Sequence, residues 1–110
     1  MDKICSQGKI LIVEDHPVNL ELFLDILEMG GYLCFGAMNG REAILVARKE
    51  KPDLILLDIR LPEMDGFAVM ENLRATPETK HITTIALTGS AMKGDREMFV
   101  NRQFDGYIAK

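Results

Sequence analysis

Short, wholly apolar runs alternate along this chain with longer stretches in which apolar residues recur every third or fourth position. Lys9–Val13 is the first such run, apolar from Ile10 onward and closed by Glu14 and Asp15, and it predicts a strand. Pro17 suits the first position of a helix. Leu20, Phe23, Leu24 and Leu27 follow at helical spacing until Gly30 and Gly31 stop the run. Tyr32–Ala37 reads as a second strand. Asn39 can cap the next helix, with Glu42 supplying the reciprocal half of a capping box. Ala43, Ile44 and Ala47 give that helix its inner face. Asp53–Leu57 predicts a third strand that ends at Asp58. Asp65 and Gly66 read as a turn and helix start, without chemistry, and Phe67, Met70 and Leu73 mark the third helix. Ile82–Leu87 is a fourth strand ending at Thr88. A fourth helix is expected within Met92–Arg102, then a short fifth strand over Tyr107–Ala109, just before Lys110.

Strand–helix alternation with apolar strands implies an α/β fold, a parallel sheet covered on both faces. Glu14, Asp15, Asp58, Thr88 and Lys110 then all fall at the carboxyl ends of strands one, three, four and five. Open α/β sheets bind ligands at that edge, where the strand order reverses. With the order 2-1-3-4-5, strands one and three are neighbours and three carboxylates converge.

Composition narrows the function. At 110 residues the chain has room for one domain, with 1–8 as a polar lead. A net charge of -4 and thirteen scattered Lys and Arg residues leave no basic patch for nucleic acid. Arg41, Arg48, Lys49 and Lys51 read as the solvated side of one helix. Cys5 and Cys34 lack metal-like spacing, so a reduced, cytoplasmic setting is expected. No apolar run approaches the length of a membrane span. His16 and His81 read as surface residues, and the seven methionines as core filling.

Three carboxylates held together repel one another unless a cation intervenes. Oxygen ligands without His or Cys point to a hard ion, and Mg²⁺ suits a site of few carboxylates and retained waters. The Lys110 ammonium and the Thr88 hydroxyl, added to that cation, suit the oxygens of a transferring phosphoryl group. A carboxylate in this setting can act as nucleophile and form an acyl phosphate.

Val13, Glu14 and Asp15; Leu56, Leu57 and Asp58; Leu61, Pro62, Glu63, Met64, Asp65 and Gly66; Leu87 and Thr88; and Tyr107 to Lys110 together resemble the receiver domain of bacterial two-component response regulators. The resemblance runs in order and spacing from Lys9 to Lys110. It implies a flavodoxin-like, doubly wound five-stranded sheet. It also implies that Asp58 accepts a phosphoryl group from a histidine kinase or histidine phosphotransfer protein. Mg²⁺ would be bound by Asp15, Asp58 and the backbone carbonyl of Arg60, with Glu14 reaching through water. Lys110 and Thr88 would hold the phosphoryl oxygens, and Thr88 and Tyr107 would act as the switch. Arg60 and Ser90 occupy the places that tune how long the acyl phosphate survives. The face formed by the fourth helix and fifth strand would meet an output partner or a second copy. On this reading the chain is no general enzyme and catalyses only its own phosphorylation and dephosphorylation.

Each residue also has a structural reading. Asp58 could be a loop or cap residue, Glu14 and Asp15 could cap the helix at Pro17, and Tyr107 could be an ordinary half-buried strand aromatic. A haloacid-dehalogenase-type phosphatase also uses a strand-end aspartate with Mg²⁺, but resembles its class in a second aspartate two positions on; here Arg60 stands there. A binding module that kept the fold and lost the chemistry is disfavoured by Asp15, Asp58, Thr88 and Lys110. A dinucleotide site is disfavoured because no G-x-G-x-x-G follows the first strand. Receivers normally continue past the lysine into a fifth helix that this sequence lacks. Right-handed crossovers put the first helix alone on one sheet face, so much of that face is expected to be bare apolar surface. Truncation of a longer chain or an intimate oligomer would account for it.

Overall fold

Five parallel strands form one sheet in the order β2-β1-β3-β4-β5 in the computed structural model, which describes residues 8–89 and 95–109. The elements are β1 (Lys9–Val13), α1 (Pro17–Met29), β2 (Leu33–Ala37), α2 (Gly40–Glu50), β3 (Leu54–Asp58), α3 (Gly66–Ala75), β4 (Thr83–Thr88), α4 (Asp95–Asn101) and β5 (Gly106–Ala109). The predicted alternation and the flavodoxin-like order are both present. Because side chains alternate across a strand, β1, β3 and β4 each feed two cores. Leu11, Val13, Ile55, Leu57 and Ala86 pack with Ala43, Ala47, Val69, Met70, Leu73 and Phe99 from α2, α3 and α4. Ile10, Ile12, Leu56 and Leu87 pack on the other side with Leu20, Phe23, Leu24 and Leu27 of α1.

Element edges differ from the periodic pattern where turns claim a backbone group. Tyr32 lies outside β2 because its N–H donates to the Leu27 carbonyl at 3.3 Å, closing α1 around left-handed Gly31 (φ 93°). Ile82 lies outside β4 because its N–H donates to Thr79. Asp53 precedes β3, where its carboxylate accepts the Lys9 N–H at 2.8 Å. Asp58 is the last residue of β3, as expected. The α2 cap forms through Asn39, whose Oδ1 accepts the Glu42 N–H at 2.8 Å. The Glu42 carboxylate reaches back to the N–H of Met38, one residue before the position that a standard capping box uses. The N-terminal part of the expected fourth helix, from Met92, lies outside the described residues.

Methionine does not behave uniformly as core filling. Met70 is buried and Met64 packs against the same core, whereas Met29, Met38 and Met98 are exposed. On the α1 side of the sheet the expectation of bare apolar surface holds in part. The central strands are covered, but α1 has no buried residue and Ile108 on β5 is half exposed. No helix among the described residues is long and apolar enough to cross a membrane.

Candidate functional site

The sheet order makes β1 and β3 neighbours, with Val13 opposite Leu57, so the residues after Val13 meet the end of β3. Oxygen atoms of Glu14, Asp15 and Asp58 lie within 4.8 Å of one another. Glu14 and Asp58 are buried and Asp15 is exposed. The backbone explains the convergence. The Glu14 N–H donates to the Ala37 carbonyl at 2.9 Å, which carries Glu14 one position beyond β1 along the ladder with β2. The Glu14 carboxylate accepts the His16 N–H at 3.3 Å, so this residue also supports the turn into α1. His16, the residue before α1, makes no side-chain cap of its own.

The loop after Asp58 folds back on the carboxylate. The Arg60 N–H donates to Asp58 Oδ1 at 3.0 Å, while the Arg60 side chain is exposed. Glu63 takes a left-handed conformation (φ 67°) as the Met64 N–H reaches the Pro62 carbonyl at 2.6 Å, a tight three-residue turn. Asp65 then caps α3 through the Ala68 N–H at 3.0 Å. Gly66 brings its backbone against the acceptor: its N–H donates to the Ile59 carbonyl at 2.8 Å. A Cβ there would come 2.6 Å from the Asp58 carbonyl oxygen and 2.8 Å from Ile59 Cα. Sequence reasoning assigned Asp65 and Gly66 no part in the chemistry. The reason for the glycine is its close approach to the Asp58 and Ile59 backbone, which makes it part of the acceptor's backing and leaves no mark in the sequence pattern.

Thr88 ends β4 one residue beyond Leu87, which pairs with Asp58, and it is half-buried. Tyr107 pairs with Ala86 on the next strand, and alternation puts Ala86, Thr88 and Tyr107 on one face. The Tyr107 ring lies 5.3 Å from that of Phe99 on α4. Ala109 pairs with Thr88, and Lys110, next in sequence, lies outside the described residues, as does Ser90.

Comparison with known proteins agrees with this geometry. The family profile of the response regulator receiver domain matches residues 10–110. The chain belongs to that family. The polar-differentiation response regulator DivK of Brucella anthropi is 45% identical to this receiver over 101 residues, covering 92% of this chain and 82% of the relative. A receiver structure from Methanoculleus marisnigri superimposes with a TM-score of 0.88 at 32% identity, covering 96% of this chain and 85% of that one. The receiver domain of the sensor histidine kinase PA1611 from Pseudomonas aeruginosa, at TM-score 0.85 and 35% identity, covers 96% of this chain and 86% of its own. That structure is described with a magnesium ion coordinated in the active site cleft.

The donor set of this receiver fits the same ion. It offers carboxylate oxygens without imidazole or thiolate, and one of its three members opens to solvent. Mg²⁺ binds through one or two carboxylates and keeps several waters. Glu14, Asp15 and Asp58 are therefore the residues that would hold it.

Proposed function

We propose that this receiver takes a phosphoryl group onto Asp58 from a phosphohistidine on a histidine kinase or histidine phosphotransfer protein. The observation that carries the reading is the convergence of Glu14, Asp15 and Asp58 within 4.8 Å at the carboxyl edge of β1 and β3. An Asp58 oxygen attacks phosphorus as the bond from phosphorus to the imidazole nitrogen breaks. The bonding pair stays with that nitrogen, which takes a proton from solvent, and an acyl phosphate remains on Asp58. Bound Mg²⁺ supplies the positive charge that offsets both the carboxylates and the phosphoryl oxygens. The Arg60 N–H on Asp58 Oδ1 at 3.0 Å orients the carboxylate. Burial of Asp58 limits the water able to reach the acyl phosphate, and the exposed Arg60 side chain, with Ser90, tunes that access. The Thr88 hydroxyl and the Lys110 ammonium are assigned to the phosphoryl oxygens on the family resemblance.

Added charge at Asp58 favours one member of a pre-existing conformational pair, in which Thr88 and Tyr107 move toward the phosphoryl group. The surface of α4 and β5 changes with it and is read by an output partner or a second copy. The receiver catalyses only its own Mg²⁺-dependent phosphorylation and dephosphorylation. A phosphatase would need a second carboxylate two residues after the nucleophile, where the exposed Arg60 stands.

Treatment with acetyl phosphate and Mg²⁺, followed by intact-mass measurement, tests the reading. The wild-type protein should gain one phosphoryl group, and the Asp58→Asn protein none. Uptake by Asp58→Asn at the wild-type rate would place the acceptor elsewhere.

A further inference from the structure

Among the described side chains of α4, one aromatic ring is packed into the core. Of its described side chains, at 97–101, Phe99 alone is buried, and it is 2% exposed. That ring sits among three others: Phe67 at 6.1 Å, Phe104 at 5.7 Å and Tyr107 at 5.3 Å between centroids. All three distances fall in the range at which aromatic pairs attract beyond simple area burial. The Phe99 carbonyl also accepts the N–H groups of Arg102 at 3.1 Å and Phe104 at 3.0 Å, so the same residue closes the helix.

Two of the three neighbours lead toward the acceptor. Phe67 follows Gly66, whose backbone lies against Asp58 and Ile59. Tyr107 shares its face of the sheet with Thr88, two residues along from its pairing partner Ala86. Any displacement of the Tyr107 ring removes a contact from the one buried side chain described on α4.

We propose that Phe99 is the positioning residue that couples Tyr107 to α4, so that the state of Asp58 is transmitted to the output surface through this ring pair. The proposal rests on the acceptor role of Asp58 for its signalling consequence, but the Phe99–Tyr107 coupling exists in the unmodified protein as well. In that state the tilted ring pair, at 31° between planes, holds α4 against the sheet. After phosphoryl transfer, movement of Tyr107 releases Phe99 and loosens or shifts the helix.

Hydrogen exchange at the Arg102 and Phe104 amides, both bonded to the Phe99 carbonyl, reads the coupling directly. Phe99→Leu keeps apolar volume and removes the ring, and Tyr107→Leu removes the other partner. Each single change should raise exchange at these amides by about 2- to 10-fold, the effect of one aromatic pair. The double variant should rise no further than the larger single, because the second change removes a contact already lost. The Leu11 and Leu57 amides in the central strands should stay as in wild type. Single effects that multiply in the double variant, no rise at either amide, or a rise equally large at Leu11 and Leu57 would each overturn the proposal.

A second arm uses acetyl phosphate and Mg²⁺. Phe99→Leu should gain the same mass as wild type, while only wild type changes its exchange at Arg102 and Phe104. An equal change in both proteins overturns the coupling. A wild type that gains no mass overturns the acceptor role of Asp58 instead, and the exchange data on unmodified protein still decide the role of Phe99.

Discussion

Asp58 sits at 3% exposure at the end of a strand whose other residues are apolar, so its carboxylate depends on neighbours in place of bulk water. Part of that support is backbone, and Gly66 is where it is most constrained. Gly66→Ala would drive a Cβ into the Asp58 carbonyl oxygen, and backbone there has no flexible end to yield. It should cost about 1–3 kcal/mol of stability, seen as a lower urea midpoint, and should slow phosphoryl uptake because the acceptor shifts with the strand. Cys34 on β2 behaves differently. Burial, reinforced by the nearby negative charge of Glu28, raises its thiol pKa above the ordinary value of 9.0. Its alkylation rate, followed on the isolated peptide by mass, should rise with pH to a midpoint above that of a free thiol. A midpoint at or below the free value would contradict the burial seen here. At this scale the acidic residues were legible in sequence because a carboxylate closing an apolar run is conspicuous. Gly66 was not, because the reason for it is another residue's backbone.

The return from α4 to β5 is closed by a Schellman motif with an unusual occupant. Gln103 takes the left-handed position (φ 73°), with Gln103 N–H on Val100 and Phe104 N–H on Phe99. Arg74 on α3 clamps the motif. Its guanidinium donates to the Lys80, Ile82 and Gln103 carbonyls and meets the Asp105 carboxylate at 3.1 Å. Asp105 in turn accepts the Thr84 N–H at 2.8 Å, so one cation ties α3, the start of β4 and the lead into β5. Arg74→Met should cost about 2–3 kcal/mol by urea unfolding, since carbonyls bonded to a charged group lose it together. Arg74→Lys should recover little, because a compact ammonium cannot span the fork that guanidinium fills. None of this was visible in the one-dimensional pattern, which found α3, α4 and β5 as separate elements. The caps were more legible: Asn39 and Asp65 act locally, within three residues, and both hold the bonds that their positions suggest. Among the edges that moved, those at Tyr32 and Ile82 did so because turn hydrogen bonds claimed backbone groups that composition alone assigns to strands.

The whole molecule brings three carboxylates to one edge, a donor set that fits Mg²⁺. A ligand that binds only the folded state stabilises it by about 2.7 kcal/mol at a hundredfold excess over Kd. Mg²⁺ should therefore raise the Tm of wild type, and chelation should reverse the rise. Asp15→Asn and Asp58→Asn should each shrink that increment, measured by calorimetry with and without Mg²⁺; an undiminished increment in both would remove these carboxylates from the ion's coordination. Periodicity and capping chemistry by themselves determined the elements and their parallel arrangement, because strand and helix repeats are local properties of the chain. They also determined that chemistry would gather at the carboxyl ends of the strands, since β3 and β4 end in Asp58 and Thr88 and Glu14 and Asp15 directly follow β1. Only the tertiary structure decided that β1 lies beside β3, which brings Glu14 and Asp15 to Asp58 across more than forty residues of chain. It alone also set Gly66 against the acceptor and placed Phe99 between Phe67 and Tyr107. Those contacts join residues distant in sequence, and no local pattern encodes the distance between them.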